Sequence, residues 1–355
     1  MGHFRTKTHG QLVVLSALVL WGLPDRTSGW VPYNVYDLGT LGSTQTRPRD
    51  MNDMNQIAGE TFGNYHSFFW QSSVMTDIGT LGGSRGIATA INNGGQVTGQ
   101  SYTTSGAWRA FLWTKSGGIS NLGVPSGEDG SSGLDVNDAG QVAVLGWSGT
   151  ETNQRAYVWT SGVWTSLGTL GGSYSKARAI NNHGHAVGWA TTSGNASQPS
   201  VMWKDGGITN LGNINALGIN DSDQVLGLGA HALIWENGTV TDLGTLGGTQ
   251  SYGNHINNAG QVAGWAYNAS ESMTAVVWDH GVITNLNTLL PPGSGWSLLN
   301  AIDINANGWI VGRGYYGGQD RAFLLVPVPE PGAFVLLAAF AVATFAGRRR
   351  PPRQT

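Results

Sequence analysis

The chain has 355 residues, 55 of them Gly and 15 Trp, with no Cys and a formal net charge of −3. Zero Cys excludes disulfides, thiolate metal centres and thiol catalysis, and the lack of a basic excess argues against a nucleic-acid partner. Hydrophobic residues reach 40%, enough for a packed core, while Gly at about 1 kcal/mol per helix-interior position points to a β-type fold.

At the N-terminus, Arg5 and Lys7 precede an apolar run over residues 12–23 and a polar stretch over 25–29. That order predicts a secretory signal peptide over residues 1–29. Residues 33–38 (YNVYDL) then read as one isolated strand leading into Gly39-Thr40-Leu41-Gly42.

From there the chain repeats itself. An apolar residue followed by Asn recurs at Asn52, Asn92, Asn137, Asn181, Asn220, Asn257 and Asn305, 37 to 48 residues apart. Behind each lies a tight turn and a short apolar strand. Next comes an apolar run ending in Trp (Trp70, Trp113, Trp159, Trp203, Trp235, Trp278), with Phe323-Leu324-Leu325 in the seventh copy. A short strand ending in Leu-Gly or Ile-Gly completes six of the units, with Leu286-Asn287 as a variant. Four strands per unit, A to D, at this period are those of a propeller blade.

The count predicts how the ring closes. Seven A-B-C sets have only six D strands behind them, and residues 33–38 supply the seventh, removing both free sheet edges. The expectation is an all-β, seven-bladed β-propeller of four-stranded blades over residues 30–327, closed by an N-terminal strand. Each Trp is expected to pack on the next sheet; burying ~150–250 Å² at ~25 cal/mol/Å² gives an upper bound of roughly 4–6 kcal/mol apiece. The Asn turns are expected to use left-handed Asn in tight hairpins.

The C-terminus reads Pro329-Glu330-Pro331, an apolar segment over 332–347 that predicts a short transmembrane helix, then Arg348, Arg349, Arg350 and a cytoplasmic tail over 351–355. In that order these parts, assigned to 328–350, resemble the PEP-CTERM sorting signal. The resemblance implies a Gram-negative host that makes exopolysaccharide, partners in the secretion machinery and an exosortase, and transient inner-membrane anchoring before cleavage. The protein is expected at the cell surface or outside the cell. The body, through its Asp-Leu-Gly-Thr-Leu-Gly segments (37–42, 242–247) and its Ile-Asn-Asn-x-Gly-Gln-Val turns, resembles the extracellular HAF-repeat family. That likeness implies location and repeat type, with no chemistry attached.

Enzyme-like strings are weak. Gly82-Gly83-Ser84-Arg85-Gly86 matches G-x-S-x-G and Gly312-Arg313-Gly314-Tyr315-Tyr316-Gly317 matches G-x-G-x-x-G, but neither has the strand–turn–helix setting its chemistry needs, and both read as turns. The His residues lack metal-ligand spacing, and the Asn/Asp turns lack the charge of a calcium loop, Asp221 and Asp223 coming nearest. Carboxylates at Glu128, Asp129, Glu151, Asp205, Glu236, Asp279 and Asp303 could serve glycoside cleavage only if two faced one cleft. No catalytic residue, cofactor or metal is assigned.

Strand alternation puts B-C and D-A loops on one face and A-B and C-D turns on the other. The B-C loops vary most in length, which marks their face for recognition. It carries Tyr65, Tyr102, Trp108, Tyr267, Tyr315 and Tyr316 with Arg109 and Arg313, groups suited to stacking on sugar rings or to a modest protein contact. The expected role is non-catalytic binding of exopolysaccharide or envelope components in a biofilm. An extracellular glycan hydrolase or lyase is the alternative, and it requires carboxylates or a His/Tyr pair converging on the channel mouth.

Overall fold

The computed structural model describes residues 30–63, 65–149 and 153–328. The expected signal peptide and the segment 332–347 lie outside them. Among the described residues no helix is long and apolar enough to cross a membrane.

Seven antiparallel four-stranded sheets follow one another in the order the repeat predicts. Blade one comprises Gln45–Met51, Ile57–Phe62, Ser67–Gln71 and Val74–Gly79. The A strands of blades two to seven are Gly82–Ile91, Gly130–Val136, Gly171–Ile180, Gly218–Ile219, Gly247–Ile256 and Trp296–Ile304. Strand A lines a central channel; strand D, exemplified by the fully exposed Thr239–Asp242, forms the rim.

Blade seven is built from both ends of the ring. Its Ile310–Tyr316 and Gln319–Pro327 strands are joined by Tyr33–Asp37, which pairs antiparallel with Gln319–Pro327 from Tyr33 opposite Pro327 to Asp37 opposite Phe323. Tyr33 is buried, and its hydroxyl donates to the Gly308 carbonyl at 2.9 Å. The closure read from the strand count is therefore present.

Trp packing runs opposite to expectation. Trp70 lies among Val311, Ala322 and Leu324 of blade seven, and Trp113 among Ala58 and Phe69 of blade one, 5.1 Å between the Phe69 and Trp113 rings. Trp203 and Trp278 likewise sit on blades three and five. Each covers the preceding sheet, because its strand faces that side of its own blade. Trp159 and Trp235 are only half-buried.

Strand A carries a β-bulge in six blades, between Ala88 and Ala90 in blade two and Ala177 and Ala179 in blade four. The opposing B strand must come close there, and it uses Gly. A Cβ on Gly99 or Gly188 would stand 2.0 or 1.9 Å from the carbonyl oxygen of Ile87 or Lys176. Gly312 holds the same place in blade seven, 2.2 Å from the Asn300 oxygen. The two enzyme-like strings are thereby corrected: Gly82 to Gly86 begin an A strand and Gly312 to Tyr316 lie within a B strand, so strand packing, not turn chemistry, explains most of these glycines.

Candidate functional site

The repeated Asn builds the mouth of the channel. Each is buried, and its Nδ2 donates to the backbone carbonyl of the corresponding Asn in the following blade. The chain of bonds runs Asn52, Asn92, Asn137, Asn181, Asn220, Asn257, Asn305 and back to Asn52, at 2.8 to 3.3 Å. Oδ1 meanwhile accepts backbone N–H groups of its own turn, as Asn220 does from Ser222 and Gln224. Left-handed backbone falls three residues later, at Asn55, Gly95, Gly140, Gly184, Asp223, Gly260 and Gly308. The expected left-handed Asn is thus corrected. Its side chain, not its own φ, sets the turn.

A second, more open ring follows at the next position: Asp53, Asn93, Asp138, Asn182, Asp221, Asn258 and Ala306, each half-buried or exposed. Side-chain oxygens accept the N–H of the neighbouring blade's residue, for example Asn93 Oδ1 from Asp53 and Asp138 Oδ1 from Asn93, both at 2.8 Å. Amide and carboxylate alternate, so each Asn Nδ2 donates towards flanking Asp oxygens. Asp221 is one member of this ring. Asp223 pairs instead with His185 and Lys204, both at 2.7 Å.

Below the mouth, the residues two before each ring Asn are Asp50, Ala90, Asp135, Ala179, Gly218, His255 and Asp303. Each carboxylate straps its blade to the following one. Asp50 accepts N–H from Met51 and Ile91, Asp135 from Val136 and Ile180, and Asp303 from Ile304 and Met51, at 2.5 to 3.0 Å. His255 Nδ1 lies 2.5 Å from Asp303 Oδ1. The space above them is about 140 Å³.

Charge in this layer is set by enclosure and by proximity. Burial, then the charge of Asp303, holds the Asp50 carboxyl well above its ordinary range. Burial also raises Asp135, against its two backbone bonds. Burial alone would depress His255, but the neighbouring Asp303 outweighs it and pushes the imidazole up to about 9. For Asp303 burial is likewise outweighed by the imidazolium, which holds it low. The layer therefore holds a His255–Asp303 imidazolium–carboxylate pair beside Asp50, whose enclosure favours its neutral form.

By donor type Asp50, His255 and Asp303, with ligand atoms within 4.8 Å of one another, fit a divalent cation. Their present bonding resists one. All four oxygens of the two carboxylates accept backbone N–H groups, and an imidazolium must lose its proton before it can coordinate.

Of the carboxylates singled out in the sequence, only Asp303 enters this layer. Glu128 is buried against Arg155 and Tyr157, Asp129 accepts the Gly149 N–H, Asp279 contacts Gln261 and His280, and Glu151 lies outside the described residues. Asp50, Asp135 and His255 went unmarked because they are far apart in sequence. Aligning the seven units on their Asn would have placed all four at one level.

The predicted ligand residues fall into separate local clusters. Tyr102 stacks on Trp108 at 3.8 Å, and Arg85 lies 4.6 Å over Tyr65 and 5.8 Å from Trp108, so blades one and two bring these together. Arg109 donates to the carbonyls of Trp108 and Asp129. Tyr267 packs beside Trp265 in blade six. In blade seven Tyr316 stacks on Trp296, Arg313 pairs with Asp320, and Tyr315 is half-exposed.

The ring ends at Val328, whose N–H bonds the Pro32 carbonyl at 2.9 Å, and the sequence continues as Pro329-Glu330-Pro331. Residues 327–350 match the PEP-CTERM protein-sorting motif. No curated protein matches the chain. Similar solved structures include a streptogramin B lyase (TM-score 0.53, 12% identity, 85% of this chain and 100% of that one). Virginiamycin B lyase from Staphylococcus aureus is similar too (0.53, 13%, 83% and 100%), as is YCF48 from Cyanidioschyzon merolae (0.50, 10%, 82% and 98%). At such identities the likeness is one of fold. The PEP-CTERM motif directly follows the closing blade, and it marks the chain for export and surface sorting.

Proposed function

We propose that this protein is an exosortase-processed, surface-sorted propeller that binds a carbohydrate or envelope component without transforming it, through the face of B-C and D-A loops. The HAF-like repeats would serve as its scaffold. One observation carries the reading. The channel carboxylates, the best-placed acid–base groups in the ring, are committed to backbone N–H groups of adjacent blades, which is a structural role. The aromatic and arginine clusters of the opposite face supply flat, partly open surfaces for sugar rings.

Affinity electrophoresis through gels containing polysaccharide tests this. Retardation that is lost in Trp108→Ala/Tyr315→Ala, with thermal stability kept, is the expected result; migration indifferent to every polysaccharide refutes it.

The glycan-cleaving alternative keeps one specific support. Asp50, Asp303 and His255 converge below the channel mouth, with one carboxyl raised by burial and its neighbour lowered by the imidazole, the divergence that acid–base cleavage uses. Release of new reducing or unsaturated ends, abolished by Asp50→Asn, would establish it.

A further inference from the structure

Blade five is built short. Its A strand spans only Gly218–Ile219, where the other A strands have 7 to 10 residues. Its B-C connection is a turn in which Gly229 N–H bonds the His231 carbonyl. Blade four, by contrast, carries one of the long B-C loops, which reaches Gln198. Before that short strand, Ile214 and Leu217 bond Leu228 and Leu226 outside regular pairing, and a cavity of about 290 Å³, lined by blade four and the 213–216 connection, opens on the B-C/D-A face.

Ser200 Oγ accepts the Ala216 N–H, but other polar groups around this cavity lack intramolecular partners. Arg178, the bulge residue of its strand, has a buried Nε without a hydrogen-bond acceptor, and among the described residues its guanidinium has no ion pair. The side chains of Gln198, Asn213 and Asn215, which also line the space, make no hydrogen bond among the described residues. Trp189 forms a half-buried wall, directly cross-strand from Lys176. Burial and then the charge of Arg178 depress the Lys176 pKa, and Lys176 has no carboxylate partner among the described residues. Beside the unsatisfied Arg178 Nε, two adjacent cations without carboxylate partners and three exposed amides without intramolecular bonds are open to a ligand.

We propose that this cavity binds one acidic sugar residue of a polysaccharide, with the sugar carboxylate on Arg178, the ring face against Trp189 and the hydroxyls on Gln198, Asn213 and Asn215. A guanidinium takes a carboxylate through two parallel N–H bonds, and an amide can both donate to and accept from a hydroxyl. The volume sits at the low end of small-ligand sites, ~300–1,000 Å³, and suits a single ring. This assignment rests on the glycan-binding reading above and specifies its ligand class.

The test is titration calorimetry of the protein with oligogalacturonate, a neutral oligoglucoside, a sulfated oligosaccharide and polyglutamate, each at low and high salt. Oligogalacturonate is expected to bind and to weaken as salt rises. Arg178→Gln is expected to reduce that affinity roughly 10- to 100-fold, as loss of a charge-assisted bond does. Asn213→Ala, at an exposed side chain with nothing to lose inside the fold, should weaken it several-fold with melting unchanged. Uronate affinity untouched by both substitutions overturns the assignment, as does equal binding of polyglutamate. Neutral-sugar binding that survives Arg178→Gln overturns it while sparing the wider reading. Failure of every sugar removes both.

Discussion

Asn220 offers the sharpest perturbation of the ring. Its side chain accepts N–H groups from Ser222 and Gln224 and donates to Gln224 Oε1 and to the Asn257 carbonyl at 3.1 Å. Asn220 is 3% exposed, so water replaces these bonds poorly. In Asn220→Ala the Gln224 N–H and Gln224 Oε1 lose their partners while the Asn257 carbonyl keeps only its bond from the Gly260 N–H, and at ~1–3 kcal/mol per unsatisfied group the total should be near 3 kcal/mol. Asn220→Asp keeps the acceptor but turns a carboxylate oxygen towards a carbonyl, and it should cost more at pH 7 than Ala does. Protonating that Asp restores a donor, so its deficit should shrink in mild acid. Asn258→Ala, at an exposed position of the outer ring, should cost under ~1 kcal/mol. Urea unfolding of the four proteins measures all of this. Equal midpoints for Asn220→Ala and Asn258→Ala would refute the claim that the inner circle holds the blades together.

Three further outcomes follow from the same structure. Tyr33→Phe should cost about 1 kcal/mol through its lost bond to Gly308, whereas Tyr33→Ala should cost ~3–5 kcal/mol; deleting residues 33–38 should bare the edge of Gln319–Pro327 and give aggregates in size-exclusion chromatography. Gly99→Ala drives a Cβ into the Ile87 carbonyl and should lower stability by ~1–3 kcal/mol or more in thermal melts. His255 is raised from 6.5 to about 9 on folding, so its ion pair stabilises fully below pH 6.5 and fades as pH rises through 9. Because 40% of the side chain faces water in the channel, that loss should be only ~1–2 kcal/mol, and His255→Gln should flatten it in urea titrations between pH 6 and 10.

The architecture was legible because it is periodic. Seven Asn, six Trp and an orphan strand at residues 33–38 sufficed to count blades and close the ring. Three details were not. The direction of Trp packing depends on which side of its own sheet each Trp faces, which no spacing encodes. The left-handed residue sits three positions past the Asn because the Asn side chain makes the turn. The channel layer of Asp50, Asp135, His255 and Asp303 arises only when strands far apart in sequence meet. The cavity beside Arg178 was hidden for another reason: it is lined by blade four and the 213–216 connection, and the short A strand and clipped B-C turn of blade five read simply as a shorter repeat.

Whether the ring binds or cleaves its ligand is decided most directly by incubating the protein with an acidic polysaccharide and following retention and chain length together. Retention with polymer length unchanged, in the native protein and in Asp50→Asn alike, is the predicted result. Shortened chains produced by the native protein and not by Asp50→Asn would contradict it and make the channel an active site.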